Sequence, residues 1–269
     1  MPLRKNSNPN SKSINLKTMN EALKNLLYRM ADDELIIGHR NSEWTGLGPI
    51  LEEDIAFSSI AQDKIGHALA LFLILETLGE PDPDTSAFSR NLLQMKCCHL
   101  VEYPIGGYDF SLMRHFLFDT AEMLRYQMLE KSSFLPLAQL AKKVRGEIKY
   151  HVFHANTWVA QLGAKGNEDS HSRMQAALNL CFPLALGIFE PSEFEGELIS
   201  EQIFGGEAEL QSKWLETISI TLQKATLVLP DIETVKPSYG GRTGIHTEYL
   251  QPLLEEMTEV ISTDPSAEW

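Results

Sequence analysis

Apolar positions fall at helical spacing along most of the chain. Leu23, Leu27, Met30, Glu34 and Ile37 recur at intervals of four and three, which predicts a helix over about 15–44. The run Thr45-Gly46-Leu47-Gly48-Pro49 ends it, because glycine closes a helix and proline starts the next. A second helix is predicted over 49–78, with Ile55, Ala56, Ile60, Asp63, His67, Leu71 and Ile74 near one stripe. Residues 79–84, Gly-Glu-Pro-Asp-Pro-Asp, are a break. Residues 85–95 suit a short helix, and 99–110, with Pro104, Gly106 and Gly107, suit a connection. Two more long helices are predicted over 111–131 and 137–162, parted by a short break at 132–136. After another break at 163–168, the tail predicts helices over 170–189, 207–225 and 246–262. A Glu/Gly-rich loop separates the first two, and 226–245 is irregular. No segment shows a strand pattern.

The pattern therefore predicts an all-α chain. Two long helical hairpins, 15–78 and 111–162, are joined by a long crossover and followed by a helical C-terminal extension. A ferritin-like four-helix bundle has this layout. Residues 15–262 read as a single domain. Residues 1–14, which include an Asn/Ser/Lys-rich stretch, read as a disordered extension.

The polar residues on the apolar stripes carry the candidate chemistry. Asp63 and His67 are four apart, as are Glu147 and His151, so each pair projects from one helix face. In an antiparallel hairpin, residues equidistant from the turn lie at one height. Glu34 and Asp33 are then level with 63–67, and Asp119 and Glu122 with 147–151. If the hairpins pack as a bundle, Glu34, Asp63, Lys64, His67, Asp119, Glu122, Glu147 and His151 form a polar layer in an apolar core. A di-metal centre in such a bundle takes Glu from two helices and Glu-x-x-His from each of the other two. Here Lys64 and Ile148 stand three before the histidines. The expectation is a degenerate centre without metal, in which Lys64 forms a buried salt-bridge cluster. The open alternative has Lys64 facing solvent, with Asp63 and Glu147 as ligands.

Single residues carry their own expectations. His67 and His151 are expected to bond the carboxylate one turn back rather than a metal. Asp33 is expected at the surface or beside Arg29 or Arg40. Asp119 and Glu122 are not expected both to point inward. His154 is either a polar core member or solvated. Tyr239-Gly-Gly-Arg-Thr-Gly-Ile-His-Thr-Glu248 is the most distinctive loop; it reads as a segment wrapping the bundle, with Arg242 as a possible anion contact.

Composition narrows the function class. The 269 residues are 43% hydrophobic and 22% charged, ordinary for a globular protein, with a net charge of −14 that argues against nucleic acid as a partner. Cys97, Cys98 and Cys181 show neither metal spacing nor a disulfide framework, which fits a reducing cytoplasm. No signal peptide or membrane-spanning run is expected. Phosphate-loop, dinucleotide-binding and nucleophile-elbow motifs are absent from the sequence.

A set of ordered motifs carries a family resemblance. They are Gly38-His-Arg-Asn-Ser-Glu-Trp44, Pro49-Ile-Leu-Glu-Glu-Asp-Ile-Ala56, Ala61-Gln-Asp-Lys-Ile-Gly-His-Ala68, Leu100-Val-Glu-Tyr-Pro104, Phe116-Leu-Phe-Asp119, Glu147-Ile-Lys-Tyr-His-Val-Phe-His154 and Gly241-Arg-Thr-Gly-Ile-His-Thr-Glu-Tyr249. Across about 18–262 the chain resembles the C subunits of ring-1,2-phenylacetyl-CoA epoxidases. The resemblance implies a ferritin-like subunit of a cytoplasmic multicomponent monooxygenase that converts the aromatic ring of phenylacetyl-CoA to an epoxide. It implies a homologous catalytic subunit that holds di-iron and binds the substrate, other epoxidase subunits, and a reductase with flavin and an iron–sulfur cluster. The C subunit itself is implied to be a scaffold with no cofactor, with self-association open. His67 departs from the pattern, since some members lack a histidine there. Two other readings stay open: an autonomous di-metal oxidase using Glu34, Asp63, His67, Asp119 or Glu122, Glu147 and His151, and a ferritin-like interaction protein unrelated to phenylacetate.

Overall fold

The computed structural model describes residues 9–264, and among these every regular element is a helix. Helix α1 spans Pro9–Ser42 and α2 Leu51–Thr77. Two short helices, α3 (Pro83–Phe88) and α4 (His99–Glu102), lie in the crossover. The second hairpin is α5 (Tyr108–Leu129) and α6 (Leu135–Ala160). The extension holds α7 (Glu168–Leu186), α8 (Glu195–Ser200), α9 (Glu207–Lys224) and α10 (Leu250–Thr263). No described helix is long and apolar enough to cross a membrane. The chain is thus all-α and ferritin-like.

Local chemistry sets the ends of these elements. Asp54 Oδ1 accepts from the amides of Gly46 and Gly48 at 2.9 and 2.8 Å, tying the α1–α2 turn. Asp82 caps α3 ahead of Pro83. Asn167 caps α7. Gly38 lets the first two helices approach closely: a Cβ there would lie 2.8 Å from Ile65 Cδ1 and 3.2 Å from Lys64 Cβ. That approach brings Lys64 against α1.

Helix α5 is buried on nearly every side, packed by α6, α7 and α9. Trp214 of α9 anchors one of these contacts. Its ring stacks on Phe182 at 5.9 Å, and its Nε1–H donates to Leu117 O at 2.9 Å. The C-terminal segment then wraps back over the crossover. Arg242, only 4% exposed, donates to Asp33 Oδ2 at 2.7 Å and to the carbonyls of Lys96, Ile188 and Arg29 at 2.8–3.2 Å. Glu102 receives the Thr247 amide and hydroxyl at 2.7 and 2.6 Å and pairs with His246 at 2.8 Å.

These contacts correct several expectations. Asp33 is buried rather than at the surface, because the 242 turn covers it and Cys98 N also donates to it at 2.7 Å. The last helix begins at Leu250, not 246, since His246 and Thr247 are held by Glu102. The Glu/Gly-rich loop contains a helical turn, α8. Of the expected extension over 1–14, residues 1–8 lie outside the described residues, and 9–14 belong to α1.

Candidate functional site

The eight predicted residues meet in one layer built from all four core helices. α1 supplies Glu34. α2 supplies Asp63, Lys64 and His67. α5 supplies Asp119 and Glu122, and α6 supplies Glu147 and His151. Lys64 is fully buried at its centre, with Nζ 2.6 Å from Asp119 Oδ1 and 3.2 Å from Glu34 Oε2. Both are ion-pair contacts whose angles fall outside hydrogen-bond geometry. The Phe118 ring lies 4.8 Å from Nζ and adds a cation–π contact.

Two acid–histidine–acid arms flank Lys64. His67 reaches Glu34 Oε1 at 3.6 Å through Nδ1 and Glu147 Oε2 at 2.7 Å through Nε2. His151 reaches Asp119 Oδ1 at 3.4 Å through Nδ1 and Asp63 Oδ2 at 3.0 Å through Nε2. The pairing is crossed. Each histidine bonds an acid on the facing helix, not the one a turn back on its own helix. In each arm the inner acid is fully buried, and the outer one, Asp63 or Glu147, keeps 36% or 46% of its side chain exposed. The two arms repeat each other through the two hairpins, with Ile148 at the position equivalent to Lys64.

Asp119 and Glu122 are both buried, against expectation, because α7 and α9 cover the faces of α5 that would otherwise meet solvent. They differ in charge. Burial pushes Asp119 up, but Lys64 and His115 outweigh it and hold its carboxyl well below the usual range. Burial likewise opposes Glu34, which Lys64 and His67 hold down at about 2. Glu122 is raised well above the usual range by burial and by the neighbouring Glu34 charge. The two glutamates therefore share a site in which Glu34 is the anion and Glu122 keeps its proton. Burial works against Lys64, but Asp119 and Glu34 raise its pKa and keep it charged. His151 is raised as well, its contacts with Asp119 and Asp63 overcoming burial.

Beyond the predicted residues the network runs on in both directions. On one side His115 Nδ1 bonds Asp119 Oδ2 at 2.5 Å, and His115 Nε2 faces His154 Nδ1 at 3.2 Å. His154 Nε2 reaches Glu53 Oε2 at 3.0 Å, and Glu53 accepts from Tyr108 at 2.6 Å. His154 is thus a buried member of the network rather than a solvated residue. On the other side Arg125 lies 3.5 Å from Glu122 and donates to Glu207 at 2.8 Å. Sequence reasoning missed His115, Glu53, Tyr108 and Arg125. The signals present were the four-residue spacing of His115 and Asp119 and the three-residue spacing of Glu122 and Arg125.

A helical protein of the ferritin-like class is defined by this arrangement: four core helices around a common acid–histidine layer, here holding a lysine. The chain belongs to the phenylacetic acid catabolic protein family, whose model matches residues 9–269. It is 31% identical over 242 residues to the C subunit of the 1,2-phenylacetyl-CoA epoxidase of Escherichia coli (strain K12). That match covers 90% of this chain and 96% of the relative.

Proposed function

We propose that this chain is a non-catalytic structural subunit of a phenylacetyl-CoA ring-1,2-epoxidase and pairs with a homologous subunit that holds the di-iron centre. The observation that carries this reading is Lys64. Its ammonium stands between Glu34 and Asp119, in contact with both carboxylates that face each other across the layer. A divalent metal on these oxygens would meet a cation already seated there, and Ile148 offers no ligand at the equivalent position. The donor set does not fit a di-metal centre, so no step of the reaction is routed through this layer. The layer acts instead as an internal strut in which Lys64 neutralises charge that a metal neutralises in a di-metal bundle.

The rival reading, an autonomous di-metal oxidase, requires Lys64 outside the layer. The family match weighs against an interaction protein unrelated to phenylacetate. Support for pairing comes from the surface of the second and fourth core helices, where Ile55, Leu69, Leu73 and Phe153 are 58%, 49%, 46% and 68% exposed. Flavin and iron–sulfur chemistry belong, on this proposal, to a separate reductase. Cytoplasmic action is proposed with it, in keeping with three buried free thiols.

Co-expression of the tagged chain with the homologous iron-bearing subunit tests the pairing. The two are expected to co-elute as one species, with iron tracking the partner. Elution of this chain alone, with the partner present and folded, would contradict it.

A further inference from the structure

A second polar site lies away from the layer. A cavity of about 330 Å³ sits beside α1, lined by Asn25, Arg29, Lys96, Ser192, Arg242 and Thr243. Its volume is at the small end of the range for small-molecule sites, about 300–1,000 Å³. In a chain of net charge −14, three cationic side chains converge here, and the only carboxylate lining the cavity is Glu193, exposed at the rim. Arg29 and Arg242 are each only 4% exposed, yet neither Nε has a hydrogen-bond partner. Arg29 has its nearest acid, Glu207, at 3.8 Å. No carboxylate among the described residues lies within ion-pair distance of Lys96 Nζ. Neither Nε is open to solvent, so what the two guanidiniums lend the cavity is their charge, beside the Lys96 ammonium.

We infer that this cavity binds a phosphate-bearing anion, held by Arg29, Lys96 and Arg242, with Asn25, Ser192 and Thr243 available as neutral partners. Three positive charges from separate segments suit a phosphate, which carries up to two negative charges, better than the single charge of a carboxylate. The electrostatics agree: burial and the neighbouring Arg242 charge lower Arg29 to about 10, and burial lowers Lys96. A bound anion relieves both. The site is independent of the proposed epoxidase role; only the choice of coenzyme A as one probe below rests on that reading.

Titration calorimetry on the full chain at matched ionic strength tests the site, with inorganic phosphate, pyrophosphate, coenzyme A and acetate as probes. Saturable binding of the phosphate-bearing probes and none of acetate is expected. Lys96→Ala is the informative variant, because only the Lys96 backbone serves the fold, donating to Asp32 and accepting from Arg242. It is expected to stay folded by circular dichroism and to bind about tenfold more weakly, the loss of one charge-assisted contact. Coenzyme A binding more tightly than pyrophosphate identifies a nucleotide-borne phosphate as the source; phosphate binding without coenzyme A binding identifies a free anion. No saturable binding of any phosphate-bearing probe, equal affinity for acetate, or unchanged affinity in Lys96→Ala would overturn the site.

Discussion

Replacing Lys64 by methionine is expected to destabilise the folded chain by about 3–5 kcal/mol, the range for removing one partner of a buried ion pair. The substitution keeps much of the side-chain volume, so the loss is electrostatic rather than a cavity. It strands Glu34 and Asp119, both fully buried, with no cation at 3.2 and 2.6 Å. The pH dependence follows from the direction of the shifts. Glu34 and Asp119 are depressed in the folded chain, so their pairing stabilises it above the unfolded carboxylate pKa and is lost as pH falls through the folded values. In Lys64→Met burial is no longer opposed by the lysine, and the two acids take up protons at higher pH. The gap between wild type and variant is therefore widest near neutral pH and narrows on acidification. Adding Glu34→Gln and Asp119→Asn to Lys64→Met should recover much of the stability, because no uncompensated carboxylate remains at the centre. Urea unfolding at several pH values measures all of this. A loss below about 1 kcal/mol at neutral pH, the value of an exposed pair, would place Lys64 outside the layer.

The second large effect is expected at Arg242. Arg242→Met removes hydrogen bonds to Asp33 and to three carbonyls from three different segments of the fold. It leaves Asp33 buried with only the Cys98 amide for a partner. A loss of about 3–5 kcal/mol is expected here too, with faster protease cleavage in the segment just before α10. Arg242→Lys is not expected to rescue, since a single ammonium cannot reproduce a planar fork that serves four acceptors. An unchanged unfolding midpoint and an unchanged cleavage rate in Arg242→Met would show that the wrap-around segment is not held this way.

Much of this architecture is written in local pattern. The stripes of α1 and α2 give the helices, and near-equal distance from the turn at Gly48 places Glu34 level with the start of the 63–67 segment. The same rule puts Asp119 and Glu122 opposite Glu147 and His151, so the height of all eight residues can be read from spacing, but not which of them point inward. Their partners cannot. His67 pairs with Glu147 and His151 with Asp63 because of how one hairpin is rotated against the other, and that rotation has no counterpart in spacing within a helix. The burial of Asp33 has the same origin, since the residue that covers it comes from 209 positions downstream. Asp119 and Glu122 are hard to place for a related reason. Side chains three apart point about 60° away from each other on a helix, and only the packing of the extension around α5 lets both lie inside. His154 is legible as a helix-face residue, but its inward role depends on Glu53 and His115, which belong to two other helices.

On this proposal a lysine ammonium, not a metal, balances the charge of the layer. Elemental analysis of the purified chain, after growth with added iron and manganese, tests it most directly. Well under one metal ion per folded chain is expected, with Glu34→Gln leaving that content unchanged. About two metal ions per chain, lost on substitution of Glu34 or His67, would contradict it and would place a working di-metal centre where Lys64 now stands.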